Sequence, residues 1–211
     1  MGESEPSADL GIVCFGDSLT EGYQSSSPMS DVGFTPYGQW LQEHLGERGT
    51  VFIRGVCGET TQQMIERFPG DVLALHPGYV VILGGTNDLG WGLPPKTVLA
   101  NLLWMYEEAD SHGIQPVGVT IPSLGGIGVR MGSSSYGRAI QARISVNEAL
   151  TDYCKKHQIP VVDLYTATCD PDSNELAAEF SDDGLHLTTS GYRTLASLLW
   201  NQVFKALVEE S

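Results

Sequence analysis

Basic residues and long apolar runs are both scarce in this chain. Its 211 residues include 11 Lys and Arg against 26 Asp and Glu, which gives a formal net charge of −15. A field of that sign repels phosphate backbones and anionic lipid surfaces, so nucleic acid is not an expected partner. No apolar run approaches the roughly 18 residues that a membrane-spanning helix needs, so no membrane span is expected.

Cysteine is also rare, and its spacing excludes two kinds of site. Cys14, Cys57, Cys154 and Cys169 form no C-x-x-C pair, so neither a zinc site nor a disulfide framework is indicated, and a reducing compartment fits best. The first ten residues, MGESEPSADL, lack the basic and apolar regions of a secretory signal. We therefore expect a cytoplasmic protein, although a leader that was removed earlier stays open.

Length and composition indicate one globular domain. Hydrophobic residues make up 41% and charged residues 18% of the chain, which is ordinary usage for a folded protein. We expect a single domain over residues 1–211, with residues 1–9 as a flexible N-terminal segment. No feature decides the oligomeric state, so a homo-oligomer stays open.

Short apolar runs alternate with amphipathic stretches along the chain. Five runs rich in β-branched residues predict buried strands at 11–15, 51–56, 79–83, 116–121 and 160–165. Helices are predicted at 37–47, 60–67, 95–112, 138–157 and 189–208. Such alternation predicts βαβ units, and therefore a three-layer α/β/α sandwich around a parallel sheet. Functional sites in these folds lie beyond the carboxyl ends of the strands.

Residues able to carry out nucleophilic catalysis follow these predicted strand ends. Ser18 stands in "GDSLTEG" after the first strand, and "SDDGLHLT" near the C-terminus contains Asp183 and His186. A serine hydroxyl becomes a good nucleophile when a neutral imidazole accepts its proton, and a carboxylate on the other ring nitrogen fixes the tautomer. Ser18, His186 and Asp183 are therefore the candidate nucleophile, base and orienting acid.

Three hydrogen-bond donors could stabilise the negative oxygen that forms during attack on a carbonyl. The backbone N–H of Ser18 falls at a predicted helix N-terminus, where amides lack intrahelical partners. Gly58 follows the second strand in "GVCGETT", and Asn87 follows the third in "GGTND". A backbone N–H at glycine and a side-chain amide both suit an oxyanion hole.

These four segments, in this order, resemble the sequence blocks of the GDSL esterase/lipase family, within the SGNH hydrolases. The blocks are "GDSLTEG", the glycine of "GVCGETT", "GTND" and "DGLH", and they extend from residue 16 to residue 186. The resemblance implies a flavodoxin-like fold with five parallel strands. It also implies Ser18, Asp183 and His186 as a catalytic triad, with Gly58 and Asn87 joining the Ser18 amide in the oxyanion hole.

The resemblance further implies hydrolysis of a small-molecule ester through an acyl-enzyme, without metal or cofactor. Short- to medium-chain aryl or alkyl esters are the first expectation, because nothing in the sequence suggests an interfacial helix. Carbohydrate O-acetylesterase, lysophospholipase, thioesterase and acyltransferase activities are the alternatives within the family. From another class, a non-catalytic flavodoxin-like module that cradles a phosphate or flavin stays open.

Several neighbouring residues receive less specific interpretations. Asp17 and Asp88 are expected to cap helices or turns, and Asp182 is the competitor of Asp183 for the imidazole. Cys57 is expected to be a structural residue with the behaviour of a buried small hydrophobe. Trp91 is a candidate substrate-binding wall. The long segments 23–34 and 122–137 are either surface loops or walls that shape the site.

Overall fold

A computed structural model of the chain describes residues 10–25, 33–126 and 133–209. The expected flexible segment 1–9 lies outside the described residues. Parts of the two long segments, 26–32 and 127–132, also lie outside them. Within the described residues, no helix is both long and apolar enough to cross a membrane.

The strands form one sheet whose neighbours all run parallel. They are β1 Leu10–Gly16, β2 Gly49–Gly55, β3 Tyr79–Leu83, β4 Gln115–Val119 and β5 Val161–Val162. Their order in the sheet is β2-β1-β3-β4-β5. This is the flavodoxin-like order, and it confirms the predicted five-stranded parallel fold.

The α-helices follow the strands in the alternation that the sequence predicts. They are α1 Ser18–Glu21, α2 Tyr37–Leu45, α3 Thr61–Asp71, α4 Thr86–Gly90, α5 Pro95–Ser111, α6 Ser133–His157, α7 Leu164–Thr168, α8 Thr189–Leu199 and α9 Lys205–Glu209. A π-helical turn, Trp200–Phe204, joins α8 to α9, so the predicted helix over 189–208 is interrupted. The short helices α1 and α4 begin just beyond β1 and β3.

The predicted fifth strand is much shorter than expected. Only Val161 and Val162 pair with β4, whereas the apolar run predicts a strand over 160–165. Asp163 ends the strand because its carboxylate accepts the backbone N–H of Thr166, at 3.0 Å, and thereby caps α7. The side-chain cap competes with the sheet for this stretch of backbone.

Alternate strand residues pack on opposite faces of the sheet. Ile12 and Cys14 belong to one buried cluster with side chains of α2 and α8. Val13 and Phe15 belong to a second cluster with side chains of α3, α5 and α6. Because helices cover both faces, the strands read as nearly continuous apolar runs, which explains why they could be found from the sequence.

Candidate active site

Ser18 lies at the junction between β1 and α1. The strand ends at Gly16, where a Cβ would come within 2.2 Å of the carbonyl oxygen of Leu83 on β3. Only glycine allows this close approach of the two strand ends. Asp17 caps α1 by accepting the backbone N–H of Leu19 at 2.9 Å, and Ser18 is the first helical residue, 5% exposed. The helix has only four residues, so its dipole is small. The donor that the site provides here is the backbone N–H of Ser18 itself.

Asp183 and His186 form a direct pair within one tight turn. Nδ1 of His186 lies 2.7 Å from Oδ2 of Asp183. The other carboxylate oxygen accepts the backbone N–H groups of Leu185 and His186, each at 2.8 Å. Burial raises the pKa of Asp183, but the hydrogen bonds from His186 and the two backbone amides outweigh it and lower the pKa well below the usual range. Asp183 is therefore the carboxylate that faces the imidazole.

Ser181 fixes the shape of the same turn. Its hydroxyl donates to the carbonyl oxygen of His186 at 2.7 Å and accepts the backbone N–H of Gly184 at 2.9 Å. The adjacent Asp182 is exposed. With Nδ1 of His186 committed to Asp183, the ring keeps Nε2 for a second partner.

The segment that follows Ser18 packs against the imidazole of His186. The ring of Tyr23 lies edge-on to that of His186, with centroids 4.6 Å apart. The carbonyl oxygen of Tyr23 accepts the hydroxyl of Tyr192, from α8, at 2.6 Å. The imidazole also interacts electrostatically with Asp17, the residue before Ser18. The structure thus places His186 against the segment that follows Ser18.

The two other oxyanion candidates are joined to each other. Asn87 is the second residue of α4, and its side-chain amide donates to the carbonyl oxygen of Glu59 at 2.8 Å. Glu59 directly follows Gly58, which is exposed and has φ of +79°. An amide group has two protons, so Asn87 keeps one beyond the bond to Glu59. Asn87 is therefore held next to the residue that follows Gly58, and the roles of Gly58 and Asn87 as oxyanion donors stay a prediction.

The loop that carries Gly58 is also tied to the nucleophile segment. The backbone N–H of Val56 donates to the carbonyl oxygen of Gly16 at 3.1 Å. That of Cys57 donates to the carboxylate of Glu21, on α1, at 2.8 Å. These bonds fix the position of Gly58 relative to Ser18.

Cys57 does not behave as the sequence suggests. We expected a buried small hydrophobe, but Cys57 is exposed on the loop after β2. The loop extends beyond the sheet, and Glu21 makes hydrogen bonds with both the backbone N–H and the thiol of Cys57. Desolvation, followed by the neighbouring Glu21, raises the pKa of its thiol to about 12, so the thiolate is disfavoured.

The side chain of Arg67 connects several segments of the site, and sequence reasoning did not identify it. Its guanidinium donates to the carbonyl oxygens of Gly16 at 2.8 Å and Arg54 at 3.2 Å, at the ends of β1 and β2. It also donates to the carboxylates of Glu59 at 2.5 Å and Asp71 at 2.8 Å. One side chain thereby links the strand before Ser18 to the residue after Gly58. Its position on α3 gives no local sequence signal, because all these contacts except that to Asp71 are distant along the chain.

Asp88 anchors α4 in the way expected of a capping acid. It is fully buried and accepts the backbone N–H of Thr61 at 2.9 Å and its hydroxyl at 2.6 Å. Thr61 is the first residue of α3, so the bonds join the starts of the two helices. Asp88 holds the backbone that presents Asn87.

A second missed cation lies beneath the site. Arg143 of α6 is 1% exposed and donates to the carbonyl oxygens of Ala139 at 3.2 Å and Thr86 at 3.5 Å. Burial lowers its pKa to about 10, while the charge of Asp17 opposes that shift. Burial raises the pKa of Asp17 to about 7, although the hydrogen bond from the Leu19 backbone and the proximity of His186 lower it in part. Two buried ionisable groups, Asp17 and Arg143, therefore interact next to Ser18.

Large exposed apolar side chains flank this region. Trp91 is 68% exposed, and its backbone N–H donates to the carbonyl oxygen of Asn87 at 2.9 Å. Val56 is 40% exposed in the Gly58 loop, and Phe34 is 52% exposed with its ring 5.9 Å from that of Tyr23. Trp91 lies beside Asn87 as expected, and its role as a substrate-binding wall stays a prediction.

Comparison with known proteins agrees with this geometry. The sequence pattern of the GDSL-like lipase/acylhydrolase family matches residues 14–194. The chain belongs to this family. The order of the candidate residues along the chain fits this membership: Ser18 follows β1, Gly58 and Asn87 follow β2 and β3, and the Asp183–His186 pair lies near the C-terminus. An ester hydrolase is the activity class that the family implies.

Individual proteins resemble the chain over different lengths. "Uncharacterized lipoprotein YqeF" of Bacillus subtilis is 31% identical, covering 86% of this chain and 84% of the relative. An arylesterase of Vibrio mimicus is 35% identical over 107 residues, which is 50% of this chain and 52% of that one. The lipase/acylhydrolase of Enterococcus faecalis superposes with a TM-score of 0.69 and 29% identity, covering 95% of this chain and 94% of that one.

Proposed function

We propose that the chain is a serine esterase that hydrolyses short- to medium-chain carboxylic esters through an acyl-enzyme. The observation that carries the proposal is the 2.7 Å pair between Asp183 and His186, held against Tyr23 in the segment that follows Ser18. A histidine oriented by a carboxylate beside a serine is the arrangement that activates a hydroxyl.

In this mechanism Oγ of Ser18 attacks the ester carbonyl while Nε2 of His186 accepts the proton. Asp183 holds the tautomer and stabilises the imidazolium that forms. The oxygen of the tetrahedral intermediate accepts hydrogen bonds from the backbone N–H groups of Ser18 and Gly58 and from Nδ2 of Asn87. The alcohol departs with the proton from His186. Water then attacks the acyl-enzyme by the same route and releases the acid.

Three observations support neutral esters of modest size. The Vibrio relative is named an arylesterase, and apolar side chains flank the proposed oxyanion hole. A net charge of −15 disfavours anionic substrates at long range. The cytoplasmic location stays a prediction, since the Bacillus relative is named a lipoprotein.

The decisive experiment replaces the nucleophile. Ser18→Ala should reduce hydrolysis of p-nitrophenyl acetate by roughly a thousandfold or more. The remaining donors can stabilise a negative oxygen, but no acyl-enzyme can form without the serine hydroxyl. Ser197→Ala, an exposed serine on α8, is the matched control and should keep full activity. Circular dichroism checks that both variants fold.

Covalent labelling gives an independent readout. A fluorophosphonate should add to Ser18 in the native protein, and mass spectrometry of the peptides should locate the adduct there. Unchanged turnover in Ser18→Ala, or labelling only elsewhere, would remove Ser18 from the mechanism. A purely binding module of the same fold would show neither turnover nor labelling at this position.

A further inference from the structure

Two aromatic rings lie in series next to the proposed general base. The ring of Tyr23 contacts that of His186 edge-on, with centroids 4.6 Å apart. The ring of Phe34 contacts Tyr23, also edge-on, at 5.9 Å. Phe34 is 52% exposed, so its ring offers free surface. We call Tyr23 and Phe34 the aromatic pair.

Backbone hydrogen bonds fix the position of the aromatic pair. Tyr23 and Phe34 form an antiparallel bridge, and the N–H of Gln24 donates to the carbonyl oxygen of Gly33 at 3.1 Å. On the other side, the N–H of Thr35 donates to the carbonyl oxygen of Gly22 at 2.8 Å. The two rings therefore stand on a paired backbone.

Two side chains secure the pair to α8. The hydroxyl of Tyr192 donates to the carbonyl oxygen of Tyr23 at 2.6 Å. The side-chain amide of Gln24 donates to the hydroxyl of Thr189 at 2.8 Å. Because α8 follows the turn that holds His186, the aromatic pair and the imidazole are fixed to the same element. A preorganised surface of this kind binds at little entropic cost.

The proposed reaction assigns different surroundings to the groups on the tetrahedral carbon. The negative oxygen faces Gly58 and Asn87, whose loops are joined through Glu59. The leaving oxygen must come within hydrogen-bond reach of His186, because that imidazole returns the proton. The alcohol attached to that oxygen therefore departs on the side where the imidazole is bordered by Tyr23.

We propose that the aromatic pair is the leaving-group subsite and that it selects esters of aromatic alcohols. This inference rests on the proposed esterase function and names the class of its substrate. A planar ring from the alcohol can pack on the exposed ring of Phe34, while the acyl group points away from the pair. Aromatic contacts of this kind give about a threefold to tenfold preference.

The test varies the alcohol and the acyl group separately. We would measure kcat/KM, which reports acylation, for phenyl, cyclohexyl and ethyl acetates and for phenyl butyrate, in the native protein and in Phe34→Ala and Phe34→Leu. For each ester, kcat/KM of the variant is divided by kcat/KM of the native protein. This ratio removes the effect of the intrinsic reactivity of the leaving group. Trp104→Ala, a change at another exposed aromatic residue, on α5 and in contact with Phe68, is the matched control.

The expected result is a threefold to tenfold loss for both phenyl esters in Phe34→Ala, with ethyl acetate changed by less than about twofold. Phe34→Leu should lose the preference for phenyl over cyclohexyl acetate. Equal losses for all alcohols would overturn the assignment, as would a loss that depends on the acyl chain. Such results leave the esterase proposal intact, because that proposal is tested separately by the turnover of Ser18→Ala and by covalent labelling of Ser18.

Discussion

The carbonyl oxygen of Glu59 accepts the side-chain amide of Asn87 across 2.8 Å, so the loop after β2 and the helix after β3 are one unit at the site. Glu59 is also held by Arg67, whose guanidinium reaches the carbonyl oxygen of Gly16. The distance between the proposed donors at Gly58 and Asn87 is therefore set by hydrogen bonds rather than by the flexibility of two loops.

Replacing Asn87 with Ala should remove both an oxyanion donor and the contact to Glu59. Loss of one such donor typically lowers kcat by about 100- to 1000-fold. We expect a loss at the upper end, because the Gly58 loop also loses the hydrogen bond between Asn87 and Glu59. Steady-state kinetics on p-nitrophenyl acetate measure the change. Asn201→Ala, at an exposed asparagine, is the control. An Asn87→Ala variant with native kcat would exclude Asn87 from the oxyanion hole.

Arg67 is expected to act as a positioning residue. A lysine carries the charge but cannot reach the carbonyl oxygens and the carboxylates together, so Arg67→Lys should lower kcat about tenfold with little change in KM. The affinity for a trifluoromethyl ketone, which mimics the tetrahedral intermediate, should fall in parallel with kcat.

The control for Arg67 is Arg54→Gln, whose side chain is more exposed and lies 3.9 Å from Asp71. If Arg67 only stabilises the fold, Arg67→Lys would lower the free energy of unfolding without weakening the binding of the inhibitor. That outcome would contradict the role of Arg67 in positioning the oxyanion donors.

Asp183→Asn should separate the true orienting acid from its neighbour. The carboxamide cannot hold the same tautomer of His186, so kcat should fall by about 1000- to 10000-fold, while Asp182→Asn should keep near-native activity. Spectrophotometric turnover of p-nitrophenyl acetate by the two variants gives the comparison. The reverse order of effects would make Asp182 the functional partner.

The lowered pKa of Asp183 also predicts a dependence of stability on acid. A carboxylate with a depressed folded-state pKa contributes stability above the unfolded value of about 4, and this contribution is lost as the pH falls below it. Urea unfolding at pH 3 to 7 should therefore show a steeper acid loss for the native protein than for Asp183→Asn. Parallel curves would mean that Asp183 is not stabilised as a carboxylate.

Asp17 predicts a pH dependence of the opposite sign. Burial raises its pKa to about 7, so the folded state holds this proton more tightly than the unfolded chain does. The resulting stability is full below about pH 4 and declines as the pH rises toward 7. Asp17→Asn keeps the cap on Leu19 and should remove the decline.

Urea unfolding from pH 4 to 8 measures this effect. The free energy of unfolding of Asp17→Asn relative to the native protein should increase with pH, by up to about 4 kcal/mol. Asp110→Asn, at an exposed acid on α5, is the control and should give a constant difference. A constant difference for Asp17→Asn would show that the buried acid titrates normally.

Local patterns in the sequence predicted most of the fold. The first four strands were found because both faces of the sheet are covered, which makes each strand a continuous apolar run. The fifth was overestimated because its apolar run continues into α7, and only the capping bond of Asp163 ends the strand. Hydrophobicity alone does not predict that a single capping side chain will end a strand.

The candidate site was predictable where its residues lie in short blocks. Asp183 and His186 share one turn, so their pairing follows from local geometry. Arg67 and Arg143 were missed because most of their partners are carbonyl oxygens, which every residue carries and which leave no trace in a sequence. The family resemblance favoured Asp183 over Asp182, and the structure shows that Asp183 is the one in contact with the imidazole.

The order of the site residues along the chain has a consequence for biosynthesis. Translation delivers Ser18 first, then Gly58 and Asn87, and the turn with His186 after all of them. A nascent polypeptide therefore carries the proposed nucleophile without the proposed base while residues 19 to 185 are added. Hydrolytic capacity should arise only after residue 186 has been added, and a chain that stops before it would have an unactivated serine.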